Sequence, residues 1–227
     1  NELTLGLILA NWIILEAFGV FFAGKFIDKI KNKLNPVRNT ALEKNNTIVS
    51  NGVNIFVILQ IIFALTLPLS IYFARIVKSM LGVTFGQGLG LAQIFYSSLF
   101  IMLPVSLCHG ALFSCGCNIY CSYIKEPVRS IGKVYAWETI GTIIGGVALT
   151  YFLIPSLNSF QIAFIISVFN LVICLFFFKD ISKILKYTIL FLILVMAYLP
   201  LSGALNKLNN YAIKKQWKNQ EVLDYRN

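Results

Sequence analysis

The chain has 227 residues, of which 58% are hydrophobic and only 12% charged, and its net charge is +10. Soluble domains are about 25% charged, so a mean hydropathy of +0.77 excludes an ordinary soluble enzyme and implies an all-α, polytopic integral membrane helix bundle. The basic residues fall between apolar runs rather than along a stripe with interleaved aromatics, which argues against nucleic acid and makes the lipid bilayer the first partner.

About 20 apolar residues cross a bilayer core, and six runs are long enough to consider. They are Leu3 to Gly24, Ile55 to Ala74, Leu91 to Phe113, Val134 to Leu153, Phe160 to Phe178 and Leu185 to Leu201, the last being the shortest. The first run lacks the basic leader and small-residue cleavage site of a signal peptide. Because the chain starts at Asn1 without a methionine and almost directly in a span, the natural N-terminus is expected to be missing, and with it one helix if the repeat described below holds. Gly82, Gly86, Gly88 and Gly90 lie between two spans and follow no strand, so they read as a loop rather than a dinucleotide fingerprint. On this reading residues 1–205 form the bundle and 206–227 a basic tail or linker.

Lys and Arg bias short loops towards the cytoplasm. Twelve lie in the odd-numbered connections, among them Lys25, Lys29, Lys31, Lys33, Arg38, Lys44, Lys125, Arg129 and Lys179, whereas the even-numbered ones hold Arg75 and Lys78. The odd-numbered loops are therefore expected to be cytoplasmic, with the first span running inwards. An even number of crossings then leaves Lys207, Lys214, Lys215, Lys218 and Arg226 outside, against the same rule.

Ionisable residues inside a span point to function by default, and here they are Glu16, His109 and Glu138. Glu16 precedes Lys25 by nine residues, about 13 Å along a helix, close to the middle of a core about 30 Å thick. It either glues helices together when protonated or takes a proton, a cation or an amine. Glu138 follows Lys133 by five residues, about 7.5 Å, and with Tyr135 and Trp137 nearby it reads as an interfacial residue. His109 reads as a packed polar residue near Pro104. With a single His, no His-based metal cage or hydrolytic triad is available, and neither a catalytic constellation nor a cofactor is expected in this chain.

Cys108, Cys115, Cys117 and Cys121 crowd beside His109, and thiolates with imidazole suit zinc or Cu(I). Positions i, i+2 and i+6 of a continuous helix do not converge three sulfurs, so these are expected to be reduced cysteines at a cytoplasmic helix end rather than metal ligands.

One pattern, E-x2-G-x3-[AG]-G, occurs twice: at Glu16, Gly19, Ala23 and Gly24, and at Glu138, Gly141, Gly145 and Gly146. On a helix the acid and the small residues at i+3 and i+7 share one face, which lets a neighbouring helix approach closely. Gly19, Ala23, Gly141 and Gly145 are therefore expected to pack helices. The copies lie three spans apart in opposite directions, as an inverted repeat would place them.

The run from Glu2 to Trp12, the segment Gly110 to Phe113, and above all Gly132 to Gly146 followed by Leu153, Ile154 and Pro155 resemble the membrane region of fused spermidine-synthase-like proteins. That resemblance implies a major-facilitator-like half with one helix missing before Asn1, in a bacterial inner (plasma) membrane. It also implies a soluble polyamine aminopropyltransferase domain after a join near Trp217 to Asn227. The expected role is then to anchor, and to supply or regulate, that fused domain, with a polyamine as a further partner. The alternative is half of a transporter that moves a polyamine or another cation with Glu16 and Glu138.

Overall fold

The computed structural model describes residues 2–34, 41–83, 87–124, 126–177 and 181–217, the side chains of 30–34 and 41–50 excepted. The elements are α1 (Glu2–Leu34), α2 (Ala41–Met80), α3 (Leu91–Ile124), α4 (Pro127–Ala148), α5 (Ile154–Ser156), α6 (Ser159–Ile173), α7 (Lys183–Leu201) and α8 (Ala204–Gln216). There is no strand among the described residues. Six helices are long and apolar enough to cross a membrane, so the protein is a polytopic membrane helix bundle.

The spans reach further than the apolar runs. The fourth runs from Pro127 to Ser156 and not from Val134, and the second begins at Asn51. Hydropathy falls away at the first charges, but a helix continues into the headgroup region and beyond. At α4 the start is set by Pro127 in the first turn, where its fixed φ suits the helix and its missing N–H has no partner to lose. Lys25, Lys29, Arg75, Lys78, Arg129 and Lys133 thus sit on helices rather than in loops. The side chains of Lys31, Lys33, Arg38, Lys44, Lys125 and Lys179, Gly86 in the glycine-rich loop, and the expected join from residue 218 onwards lie outside the described residues.

Helix α2 is the central pillar, packed on α1 and α3 to one side and on α6, α7 and α8 to the other. Val53, Val57, Ile61 and Ala64 of α2 meet Phe164 and Leu171 of α6, Ile189 and Met196 of α7, and Leu205 of α8 in the main apolar core. Pro68 lies inside α2 and has no N–H, so the carbonyl of Ala64 loses its helical partner. The Ser167 hydroxyl of α6 donates to that carbonyl at 2.8 Å, in a buried position. Neighbouring helices supply such bonds in lipid because water cannot. Ser167→Ala should therefore destabilise the bundle by about 1–2 kcal/mol in detergent unfolding titrations. In a Pro68→Ala background, where residue 68 again donates to Ala64, the same change should cost far less. Equal losses in the two backgrounds would refute this account.

At the far end of α4 the backbone widens into a π-helical turn, Leu149–Leu153, before α5. Pro155 explains it: its ring would clash with the carbonyl one α-turn back, and the wider turn moves that carbonyl aside. After α7 the chain turns at Gly203, whose φ of +70° suits glycine, and α8 folds back onto the bundle. Leu205, Asn209, Ala212 and Ile213 of α8 face inwards, and Asn206 accepts hydrogen bonds from Asn158 and Gln161 at the start of α6. The stretch from Asn206 to Gln216, read above as a tail, is thus helix packed beside the lysine-poor connection between α5 and α6.

Candidate functional site

The site is built on the pairing of α1 with α3, the most extensive helix contact in the bundle. Asn11, fully buried on α1, donates to the Phe95 carbonyl at 2.9 Å and to Ser98 Oγ at 2.7 Å. Two turns further along, Gly19 lies against the backbone of Leu107, and Gly110 lies against the backbone of Glu16 and Val20. Ser114 Oγ then donates to the Val20 carbonyl at 3.0 Å. With no Cβ at either glycine, the two backbones touch, and that contact sets the distance between Glu16 and His109.

Glu16 and His109 come together in the middle of this seam. His109 Nδ1 lies 2.8 Å from Glu16 Oε1, and Trp12, one turn before Glu16, donates its indole N–H to Oε2 at 2.9 Å. The rings of Trp12 and Phe63 flank the imidazole, at 5.6 Å and 6.4 Å between centroids. Glu138 reaches the opposite edge of the ring, its Oε1 3.8 Å from His109 Nε2. The three side chains are 26–35% exposed within the bundle.

Two expectations change here. Glu138 does not belong to an interfacial belt: because α4 begins at Pro127, it sits eleven residues into the span and level with Glu16. His109 is not merely packed near Pro104 but joins the two acids of the repeated pattern. Trp12 also joins the cluster, which the sequence reading passed over although its i, i+4 spacing to Glu16 signals the contact.

Ligand atoms of Glu16, His109 and Glu138 all lie within 4.8 Å of one another, so these residues could hold a metal ion. The ring turns a different nitrogen to each carboxylate, however, a geometry suited to passing a proton or placing a cation beside it. The free cysteines Cys108, Cys115, Cys117 and Cys121 do not join the group. The two copies of the pattern also differ. Gly19 packs against α3 and Ala23 is half-buried, whereas a Cβ on Gly141 or Gly145 would meet nothing within 4 Å.

No protein family, curated protein or solved structure matches this chain. The chemistry of the cluster therefore rests on its own charges. Two ionised carboxylates with a neutral imidazole carry two negative charges, which apolar surroundings oppose. An imidazolium between them removes one, and a single further proton or ammonium removes the other. A divalent ion would remove both at once.

Proposed function

We propose that this chain is an amine-handling membrane domain that seats a protonated polyamine nitrogen between Glu16 and Glu138. The observation that carries this reading is the convergence of both acids of the repeated pattern on one imidazole inside the spans. An ammonium offers N–H donors to both carboxylates, and the flanking Trp12 and Phe63 rings favour a cation.

The likeness to spermidine-synthase-like proteins supports polyamine as the amine, and a role in anchoring and supplying or regulating an aminopropyltransferase domain. The alternation of six spans, which sets α1 and α4 antiparallel, supports a major-facilitator-like inverted repeat. The Lys and Arg bias of the odd-numbered connections supports a cytoplasmic side for them, and the same likeness supports a bacterial plasma membrane. The transporter alternative draws on the same cluster.

The test is titration of spermidine into the detergent-solubilised chain by calorimetry, with Glu138→Gln as the comparison. Wild type is expected to bind, and the variant to bind at least tenfold more weakly. Equal binding by the two chains, or none by a folded wild type, would overturn the reading.

A further inference from the structure

Helix α8 is built unlike the six spans. Its 13 residues reach about 20 Å, too short for a bilayer core of about 30 Å, and they include three lysines and no acid. One face is fixed to the bundle. Leu205, Asn209, Ala212 and Ile213 are buried, and Leu208 shares a cavity with Pro68 and Tyr72 of α2 and Phe160 of α6. The hydrogen bonds from Asn158 and Gln161 to Asn206 hold its first turn at the start of α6. The apolar span of α6 begins at that point, so α8 lies at the level of the bilayer surface rather than in its core.

The face turned away from the bundle is basic. Lys207, Tyr211 and Lys214, at i, i+4 and i+7, form one exposed stripe, and the half-buried Lys215 places its ammonium 6.0 Å from the centre of the Tyr211 ring. Among the described residues no carboxylate pairs with Lys207 or Lys214. Helix electrostatics does not account for both of them. Lys214 stands in the last turn, where the helix dipole favours a cation, but Lys207 stands in the first, where it favours an acid.

The surroundings add to the charge. Arg75, near the end of α2, donates to Ser159 Oγ at 3.0 Å at that same start of α6, and Lys78 follows about one turn later. Glu2 is the one acid at this end of the bundle among the described residues. Six crossings set this end opposite the lysine-rich connections, so the loop rule gives no reason for a basic helix here.

We propose that α8 is a docking surface for anionic phospholipid headgroups, with Lys207 and Lys214 each beside a phosphate and Tyr211 between them at the boundary with the acyl chains. An ammonium is a point charge suited to phosphate oxygens, and a tyrosine ring with its hydroxyl suits the membrane interface. Depth decides among anionic partners. Packed on α2, α6 and α7, the helix presents its charge at the level where the headgroups around the spans already lie.

The test is native mass spectrometry of the detergent-solubilised chain titrated with phosphatidylglycerol or phosphatidylcholine. A lysine at an anionic lipid surface contributes about fivefold in affinity, so phosphatidylglycerol should bind at least tenfold more tightly than phosphatidylcholine. Lys207→Gln combined with Lys214→Gln should weaken phosphatidylglycerol binding at least tenfold and leave phosphatidylcholine binding unchanged. Lys207→Arg combined with Lys214→Arg should bind both lipids as wild type does, which separates loss of charge from damage to α8. Equal binding of the two lipids by wild type, or a preference that survives the glutamine changes, would refute the proposal. So would tighter binding of poly-glutamate than of phosphatidylglycerol, which would assign this face to an acidic protein segment.

Discussion

Gly110→Ala is expected to disrupt the bundle, whereas Gly141→Ala should be nearly neutral, although each adds one methyl to a glycine in a membrane helix. At Gly110 the new Cβ meets the Glu16 carbonyl, with Val20 N only 2.9 Å and Glu16 C 3.0 Å away. These are backbone atoms of a packed helix and cannot rotate aside, so α1 and α3 must part. Overpacking of this kind costs about 1–3 kcal/mol, and the upper end applies where backbone opposes backbone. Separation also breaks the Ser114 bond to Val20 and widens the gap between Glu16 and His109. At Gly141 nothing lies within 4 Å, and the change should stay within about 1 kcal/mol of wild type. Detergent unfolding of the two variants side by side decides the matter. Equal stability would mean that the α1–α3 contact does not hold the site.

The second large effect is expected from His109→Leu. The ring stands between two carboxylates and turns one nitrogen to each. Leucine removes both contacts and leaves two half-buried acids facing each other, a loss of about 1–2 kcal/mol for partly exposed groups. Proton uptake by the acids caps that loss, because neutral carboxyls are tolerated where paired anions are not. Adding Glu138→Gln to His109→Leu should therefore restore part of the stability, although Glu138→Gln alone restores nothing. A double-mutant cycle measured by unfolding reads this coupling directly. Strict additivity would show that the three side chains do not act as a unit.

The spans were legible because composition is a local property of the sequence. The place of Glu138 within its helix was not, because Arg129 and Lys133 interrupt the apolar run while the helix continues back to Pro127. The proline was the signal for that start. The meeting of Glu16 with His109 joins residues 93 positions apart and depends on two glycines in different helices, so no periodicity announces it. The repeated pattern suggested equal roles for its two copies. Both acids meet the same imidazole, but sequence could not reveal that Gly19 lies against the α3 backbone while Gly141 and Gly145 meet nothing. Pro68 was visible as a break in the α2 hydrogen bonds, yet its remedy, Ser167, is supplied by a helix about a hundred residues later.

The two acids are mounted very differently. Glu16 rides on α1, which is locked to α3 along its length, whereas Glu138 rides on α4, whose contact with the other spans is chiefly with α3 and whose most apolar window is entirely unburied. The number of carboxylates at the ring is therefore a property of helix position. With α4 docked, both acids reach the imidazole. With α4 drawn away, Glu16 alone would stay beside it. A movement of one peripheral helix would thus change the second acid at the ring without any residue of the α1–α3 seam changing its conformation.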